Sequence, residues 1–263
     1  MAFMRCSFFS EIIGYQTNIN IIIPFEKCST GGAGRYPVLY LLHGGGGNQD
    51  DWVRYTSIER YAEKYGIAVV MPDVSGNSFY ADMVHGYRYF EYLTEELPEI
   101  MEGYFPIGGC REKRFVAGLS MGGYGSLKWG LNKPEFFSYV ADLSGASLIT
   151  EMFHERGLAG DKGEQKNNVV VRNWGGDAGL KDSISDTAFL LRKAAQMKEK
   201  LPKLYVCIGT EDFSYEYTQN FMKYAGDLGL DIRYEEGPGE HNWDFWDPFI
   251  LRYIQLYVEE IGK

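Results

Sequence analysis

The stretch Arg114-Phe115-Val116-Ala117-Gly118-Leu119-Ser120-Met121-Gly122-Gly123 decides how this chain is read. Its centre is G-x-S-x-G. The run 114–117 has strand character, and Gly123 to Leu131 can continue as a helix despite the glycines. A strand that turns sharply into a helix holds the middle serine in a strained conformation, its hydroxyl clear of the sheet. Such a turn needs small residues two positions to either side, where a Cβ would meet the crossing backbone. Gly118 and Gly122 fill both positions. The pentapeptide alone also fits a glycine-rich βα turn with an incidental serine. What decides is whether an acid, a base and oxyanion donors stand at other strand ends.

Length and composition set the frame for that search. A chain of 263 residues, 45% hydrophobic and 24% charged, has the size and balance of one α/β domain with a full core. The aromatic share of 16% is high enough to line a core and still furnish an apolar pocket. A net charge of −10 argues against a nucleic-acid partner and gives an anionic substrate no long-range steering. Cys6, Cys28, Cys110 and Cys207 are widely spaced with no C-x-x-C, which suggests neither a disulfide framework nor a zinc site. A reducing, cytoplasmic setting is expected. Arg5 and Glu11 interrupt the N-terminal apolar residues, so this segment reads as part of the fold. No apolar run approaches the ~20 residues of a membrane span.

Taken in order, residues 5–13 and 18–23 read as two strands joined at Gly14-Tyr15, and 29–34 as a flexible loop. The apolar runs 38–42 and 67–71 suit strands covered on both faces. A helix is expected over 51–65, and another over 87–104 with a kink or break at Pro98. Further strands fall at 138–144, 203–209 and 231–235, and helices at 187–200, 215–229 and 246–259. From about 147 to 186 the periodicity dissolves; a structureless loop of that length is unusual, so short helices forming a cap are expected. Strands alternating with helices predict one mostly parallel sheet with helices on both faces, in a single domain spanning 1–263.

A serine hydroxyl needs a base to take its proton and a third group to orient that base. Of four histidines, His241 lies in a turn-rich loop between the last strand and the last helix, where a base can reach over the strand ends. His43 ends a buried strand and suits a structural role, while His85 and His154 fall in loops. Asp212, just past the strand 203–209, is the candidate acid; its neighbour Glu211 should point the other way, and Asp142 on the strand after the serine is the rival. One oxyanion donor is the backbone N–H of Met121. The other should come from the Gly44–Gly47 loop, at Gly45. That loop lacks the Gly-Lys-Ser/Thr ending of a P-loop and the G-x-G-x-x-G spacing, so no nucleotide cofactor is expected. Trp52, Phe79, Tyr80 and Trp243 are candidates for the pocket wall.

Leu41-Leu42-His43-Gly44, the GLSMGG run 118–123, Gly209-Thr210-Glu211-Asp212-Phe213 and Glu240-His241-Asn242-Trp243 resemble the esterase D branch of the α/β-hydrolases. Within it the similarity is to the tributyrin-esterase and the feruloyl or acetyl-xylan-esterase-like members, over nearly the whole chain. The resemblance implies the α/β-hydrolase fold, a Ser120–Asp212–His241 triad and an oxyanion hole at Gly45 and Met121. It implies a cofactor-free serine carboxylesterase acting on short-chain acyl esters of a small molecule or carbohydrate, without metal, nucleic acid or membrane, with homo-oligomerisation open. The alternatives are a thioesterase of the S-formylglutathione hydrolase type, an acyltransferase and a catalytically silent carbohydrate-binding relative. Gly45 stands where members often carry a bulkier residue, and 147–186 matches least.

Overall fold

The computed structural model describes residues 1–24, 34–158, 168–197 and 201–261. Its frame is one eight-stranded sheet: β1 (Ala2–Ser10), β2 (Tyr15–Ile23), β3 (Val38–Leu42), β4 (Ala68–Pro72), β5 (Arg114–Leu119), β6 (Tyr139–Leu143), β7 (Lys203–Gly209) and β8 (Ile232–Gly237). The spatial order is β1-β2-β4-β3-β5-β6-β7-β8. β1 and β2 are an antiparallel hairpin that joins β4 antiparallel, and every pair from β4 to β8 is parallel. This is the α/β-hydrolase architecture. The hairpin turns over residues 11–14, slightly earlier than the sequence suggests, with Gly14 at φ 76°.

Every residue of β3 and β4 is buried, as continuous apolar strands sandwiched between layers must be. One face packs Tyr40, Val116, Leu127 and Trp129 under the helices Leu97–Tyr104, Met121–Asn132 and Thr187–Ala195. The other packs Leu39, Phe115, Tyr205 and Tyr253 under the helix Trp243–Ile261. The helix expected over 51–65 is two, Asp51–Tyr55 and Ile58–Tyr65, because the Thr56 hydroxyl bonds back to the Trp52 carbonyl and onward to the Ile58 N–H. Over 89–104 the helix runs through a π-helical segment, Tyr92–Glu96, just before Pro98. Proline lacks the N–H for regular pairing, and a π-turn absorbs that loss within a continuous helix.

Strand order positions the site. Connections leave β3 toward β4 on one side and β5 toward β6 on the other, so the chain reverses direction between β3 and β5. A crevice opens at the carboxyl ends there, where such sheets place their ligands. Leu42 is in register with Gly118, which sets the Gly44–Gly47 loop beside Ser120. Between β6 and Thr187, the described residues form short helices at Ile149–Glu155, Val169–Trp174 and Asp177–Leu180. Residues 159–167, the greater part of the expected loop 29–34, and Cys28 lie outside the described residues; Cys6, Cys110 and Cys207 are free thiols. Among the described residues no helix is long and apolar enough to cross a membrane.

Candidate active site

Ser120 sits between β5 and the helix Met121–Asn132 at φ 53°, ψ −119°, a conformation L-residues rarely adopt. The elbow is held rather than relaxed. Its N–H donates to the Leu143 carbonyl at 2.8 Å, tying it to β6. A Cβ on Gly118 would collide with the Gly122 carbonyl, and one on Gly122 with the Leu42 and His43 carbonyls. The close crossing therefore demands both glycines.

His241 reaches this serine from the β8 side, its Nε2 2.9 Å from Ser120 Oγ. The other ring nitrogen, Nδ1, is 2.8 Å from Asp212 Oδ2 and 3.0 Å from Oδ1. With the carboxylate as acceptor, Nδ1 carries the proton and Nε2 faces the hydroxyl as acceptor. The ring is wedged between Phe213, with centroids 4.4 Å apart, and the edge of Trp246 at 4.9 Å. Burial by itself would raise the Asp212 pKa, but the bonds from His241, the Ser214 N–H and the Ser144 hydroxyl hold it below the usual carboxylate value. The Asp212 and His241 loops are clipped together at Glu211. Its N–H donates to the Gly239 carbonyl at 3.0 Å, and its carboxylate accepts the Gly239 N–H at 2.6 Å. Glu211 thus faces away from the imidazole.

The rival acid lies elsewhere. Asp142 is fully buried beneath the elbow, where its Oδ1 accepts the Gly145 N–H at 2.8 Å. Burial pushes its pKa up to about 7, and its Oδ2 has no partner among the described residues. It holds the Ser144–Ala146 turn and does not contact His241. His43 is also buried, with Nδ1 2.8 Å from the Gly44 carbonyl and Nε2 accepting the Val74 N–H; burial keeps its pKa low and the ring neutral. His85 and His154 are exposed, and His154 lies 3.4 Å from Asp177.

A cavity of about 180 Å³ opens beside Ser120, with Gly45 and Met121 on its wall next to the serine. Met121 is the first residue of its helix, so its N–H has no intrahelical acceptor and is free to serve an oxyanion. The space a side chain would take at Gly45 is occupied by the Asn77 amide oxygen, 2.9 Å from a Cβ built there. Of the four aromatics expected on the wall, Phe79 lines the cavity and Trp52, Tyr80 and Trp243 do not. Buried indole N–H and phenol O–H groups need acceptors. Trp52 donates to the Leu42 carbonyl at 3.0 Å and Tyr80 to the His43 carbonyl at 2.8 Å, so both buttress the oxyanion loop from below. Trp243 stacks on Tyr55 and meets Trp52 and Trp246 edge-on. The wall itself is completed by Tyr124, the Ser144–Ser147 turn, Ile149, Met152, Arg156, Phe213 and Tyr217. Position offered one signal for these: Ser144 and Phe213 directly follow a strand end and the candidate acid.

The α/β-hydrolase fold and a serine, histidine and aspartate in hydrogen-bonded series beside a cavity define the class of the serine hydrolases. More specifically, the chain belongs to the Esterase family, whose model matches residues 10–253. It is 34% identical over 261 residues to an acetyl esterase of Caldicellulosiruptor saccharolyticus, covering 95% of this chain and 96% of that protein. Among solved structures it is similar to the fluorophosphonate-binding serine hydrolase F, FphF, of Staphylococcus aureus, at TM-score 0.87 and 31% identity over 98% of both chains. It is also similar to the S-formylglutathione hydrolase FrmB of Staphylococcus aureus, at TM-score 0.84 and 31% identity over 98% of both chains.

Proposed function

We infer that this protein is a serine carboxylesterase that hydrolyses short-chain acyl esters through an acyl-enzyme. The observation that carries the reading is the series Ser120 Oγ, His241 Nε2, His241 Nδ1 and Asp212, with links of 2.9 and 2.8 Å, whose serine lines a cavity of about 180 Å³. Ser120 Oγ attacks the ester carbonyl as His241 Nε2 takes its proton. The oxyanion is met by the N–H groups of Gly45 and Met121. The tetrahedral adduct collapses, and the alcohol leaves with the proton from His241. Water then adds to the acyl-enzyme with His241 as base, releasing the carboxylic acid and restoring the serine. Asp212 keeps Nδ1 protonated and stabilises the imidazolium without itself being protonated.

The acetyl esterase relative supports a small acyl group such as acetyl. The likeness to an S-formylglutathione hydrolase supports a second reading, in which the same residues cleave a thioester. We read the short helices after β6 as a cap-like insertion of a single domain, and the free cysteines as consistent with a cytoplasmic setting. The experiment is p-nitrophenyl acetate hydrolysis by the wild type and by Ser120→Ala. Loss of the nucleophile lowers kcat on the order of 10⁴-fold or more with an unchanged circular dichroism spectrum. A variant within tenfold of wild type removes Ser120 from the mechanism.

A further inference from the structure

Among the described residues that line the cavity one carries a charge, Arg156, which ends the helix Ile149–Glu155. Its guanidinium lies 5.1 Å from the ring centroid of Phe213, which is 60% exposed, and Phe213 in turn faces His241. Among the described residues no carboxylate pairs with Arg156. The three side chains thus run outward in series: imidazole, phenyl ring, guanidinium.

That series has a chemical direction. The proton returned by His241 goes to the oxygen of the departing alcohol, so the alcohol half lies on the imidazole's side of the carbonyl. A substituent on that oxygen passes the solvent-exposed ring of Phe213 and reaches the Arg156 guanidinium that lies over it. We propose that Phe213 and Arg156 form a leaving-group subsite for an alcohol with a flat apolar body and a carboxylate at its far end. An aromatic face accepts the body by stacking, and a guanidinium pairs a carboxylate through two parallel N–H donors. The net charge of −10 repels an anion at long range. Screening over ~8 Å at physiological salt confines that repulsion and leaves the direct contact to decide. The inference rests on the esterase reading and adds the chemistry of the alcohol half.

The test compares 4-acetoxybenzoate with 4-acetoxybenzamide, which share the acetyl group and the phenolic leaving oxygen and differ in terminal charge. At 0.15 M salt, Arg156→Gln lowers the ratio of kcat/KM for the charged over the neutral ester about fivefold, the scale of one exposed ion pair, and does so through KM. Arg156→Lys keeps part of the preference, and raising the salt to 1 M erodes the wild-type ratio toward that of the glutamine variant. A ratio that Arg156→Gln leaves unmoved overturns the subsite. Phenyl acetate is the separate control: wild-type protein that cannot hydrolyse it overturns the esterase reading itself, while turnover of phenyl acetate with an unmoved ratio overturns the subsite alone.

Discussion

Trp246 donates its indole N–H to the Ser144 hydroxyl at 3.0 Å, and that hydroxyl bonds the carboxylate of Asp212. Ser144 sits just past β6 at φ 59°, tied by its own N–H to the Cys207 carbonyl on β7. A strained residue on one strand end thereby orients the acid on the next. A hydrogen bond to a charged group contributes roughly 1.5–3 kcal/mol. Ser144→Ala is expected to lower kcat about tenfold, leaving the imidazole in place but its acid less firmly held. The held-down pKa of Asp212 makes its bonds stabilising above the unfolded value of about 3.9, and that stabilisation is lost as pH falls below it. The Tm deficit of Ser144→Ala should therefore be larger at pH 7 than at pH 3. A deficit of equal size at both would detach Ser144 from Asp212.

The two aspartates at the ends of β6 and β7 should separate cleanly on mutation. Asp212→Asn is expected to lower kcat by several orders of magnitude, since an amide cannot stabilise the imidazolium and favours the wrong tautomer. Asp142→Asn should cost far less activity, because an amide oxygen can still accept the Gly145 N–H. Its signature lies in stability. The Asp142 pKa, raised by burial to about 7, stands above its unfolded value of about 3.9, so the folded state holds a proton the unfolded state has released. That contribution is full at low pH and is lost as pH climbs from about 4 to 7, by a few kcal/mol. Melting both proteins across pH 4–8 should show wild type losing ground to Asp142→Asn through that window. A constant offset would mean that Asp142 is ionised in the fold throughout.

Lys128 supplies the opposite slope. It is fully buried on the helix after Ser120, with Nζ 2.9 Å from the Tyr80 carbonyl and 4.4 Å from the Phe90 ring centroid. Burial lowers its pKa to about 7. Asn77, Phe79 and Tyr80 all have positive φ, so this lysine pins a strained loop that reaches the cavity wall. With the folded pKa below the unfolded value of about 10.4, stability rises with pH between about 7 and 10 and is lost as pH falls back across that range. Lys128→Met should flatten the Tm profile over pH 7–10 and raise KM as the loop loosens. A variant whose profile keeps the wild-type slope would show that another group is titrating.

The strands and the meeting of Ser120, Asp212 and His241 at one sheet edge were legible because they follow from strong local rules. Continuous apolar runs mark β3 and β4, and G-x-S-x-G marks the turn after β5. Ser120, Asp212 and His241 each directly follow a strand or lie in the loop after one, so chain order alone brings them to one edge. Side-chain direction was not legible. Trp52 and Tyr80 flank the site in sequence, yet each turns its polar tip inward to a strand-end carbonyl, a choice set by register between distant strands. The partners of Ser144 and Arg156 were hidden for the same reason: Trp246 and Phe213 lie 102 and 57 positions away.

Those directions also bear on the acyl side of the pocket. Phe79, Tyr124, Ile149 and Met152 line the cavity where Trp52 and Trp243 do not, and we propose that they set the limit on acyl length. Behind them stands a compact cluster with Phe153 and Trp174, in which Phe79 meets Phe153 at 5.2 Å and Tyr124 at 5.8 Å. This wall is backed by packed rings, while the Phe213 wall is open to solvent. The backed wall suits a short acyl chain and the open one a variable alcohol. In a cavity of about 180 Å³, added methylenes soon find no room, and each that stays in water forgoes about 0.8 kcal/mol of transfer free energy. The wild type should prefer acetyl and butyryl p-nitrophenyl esters and fall steeply at octanoyl. Met152 is half-buried, so Met152→Ala can open the wall with little harm to the core. It should raise hexanoyl over acetyl kcat/KM on the order of tenfold, the worth of about two methylenes. A wild-type optimum at octanoyl refutes the short acyl side, and an unchanged acyl ranking in Met152→Ala places the acyl chain against a different wall.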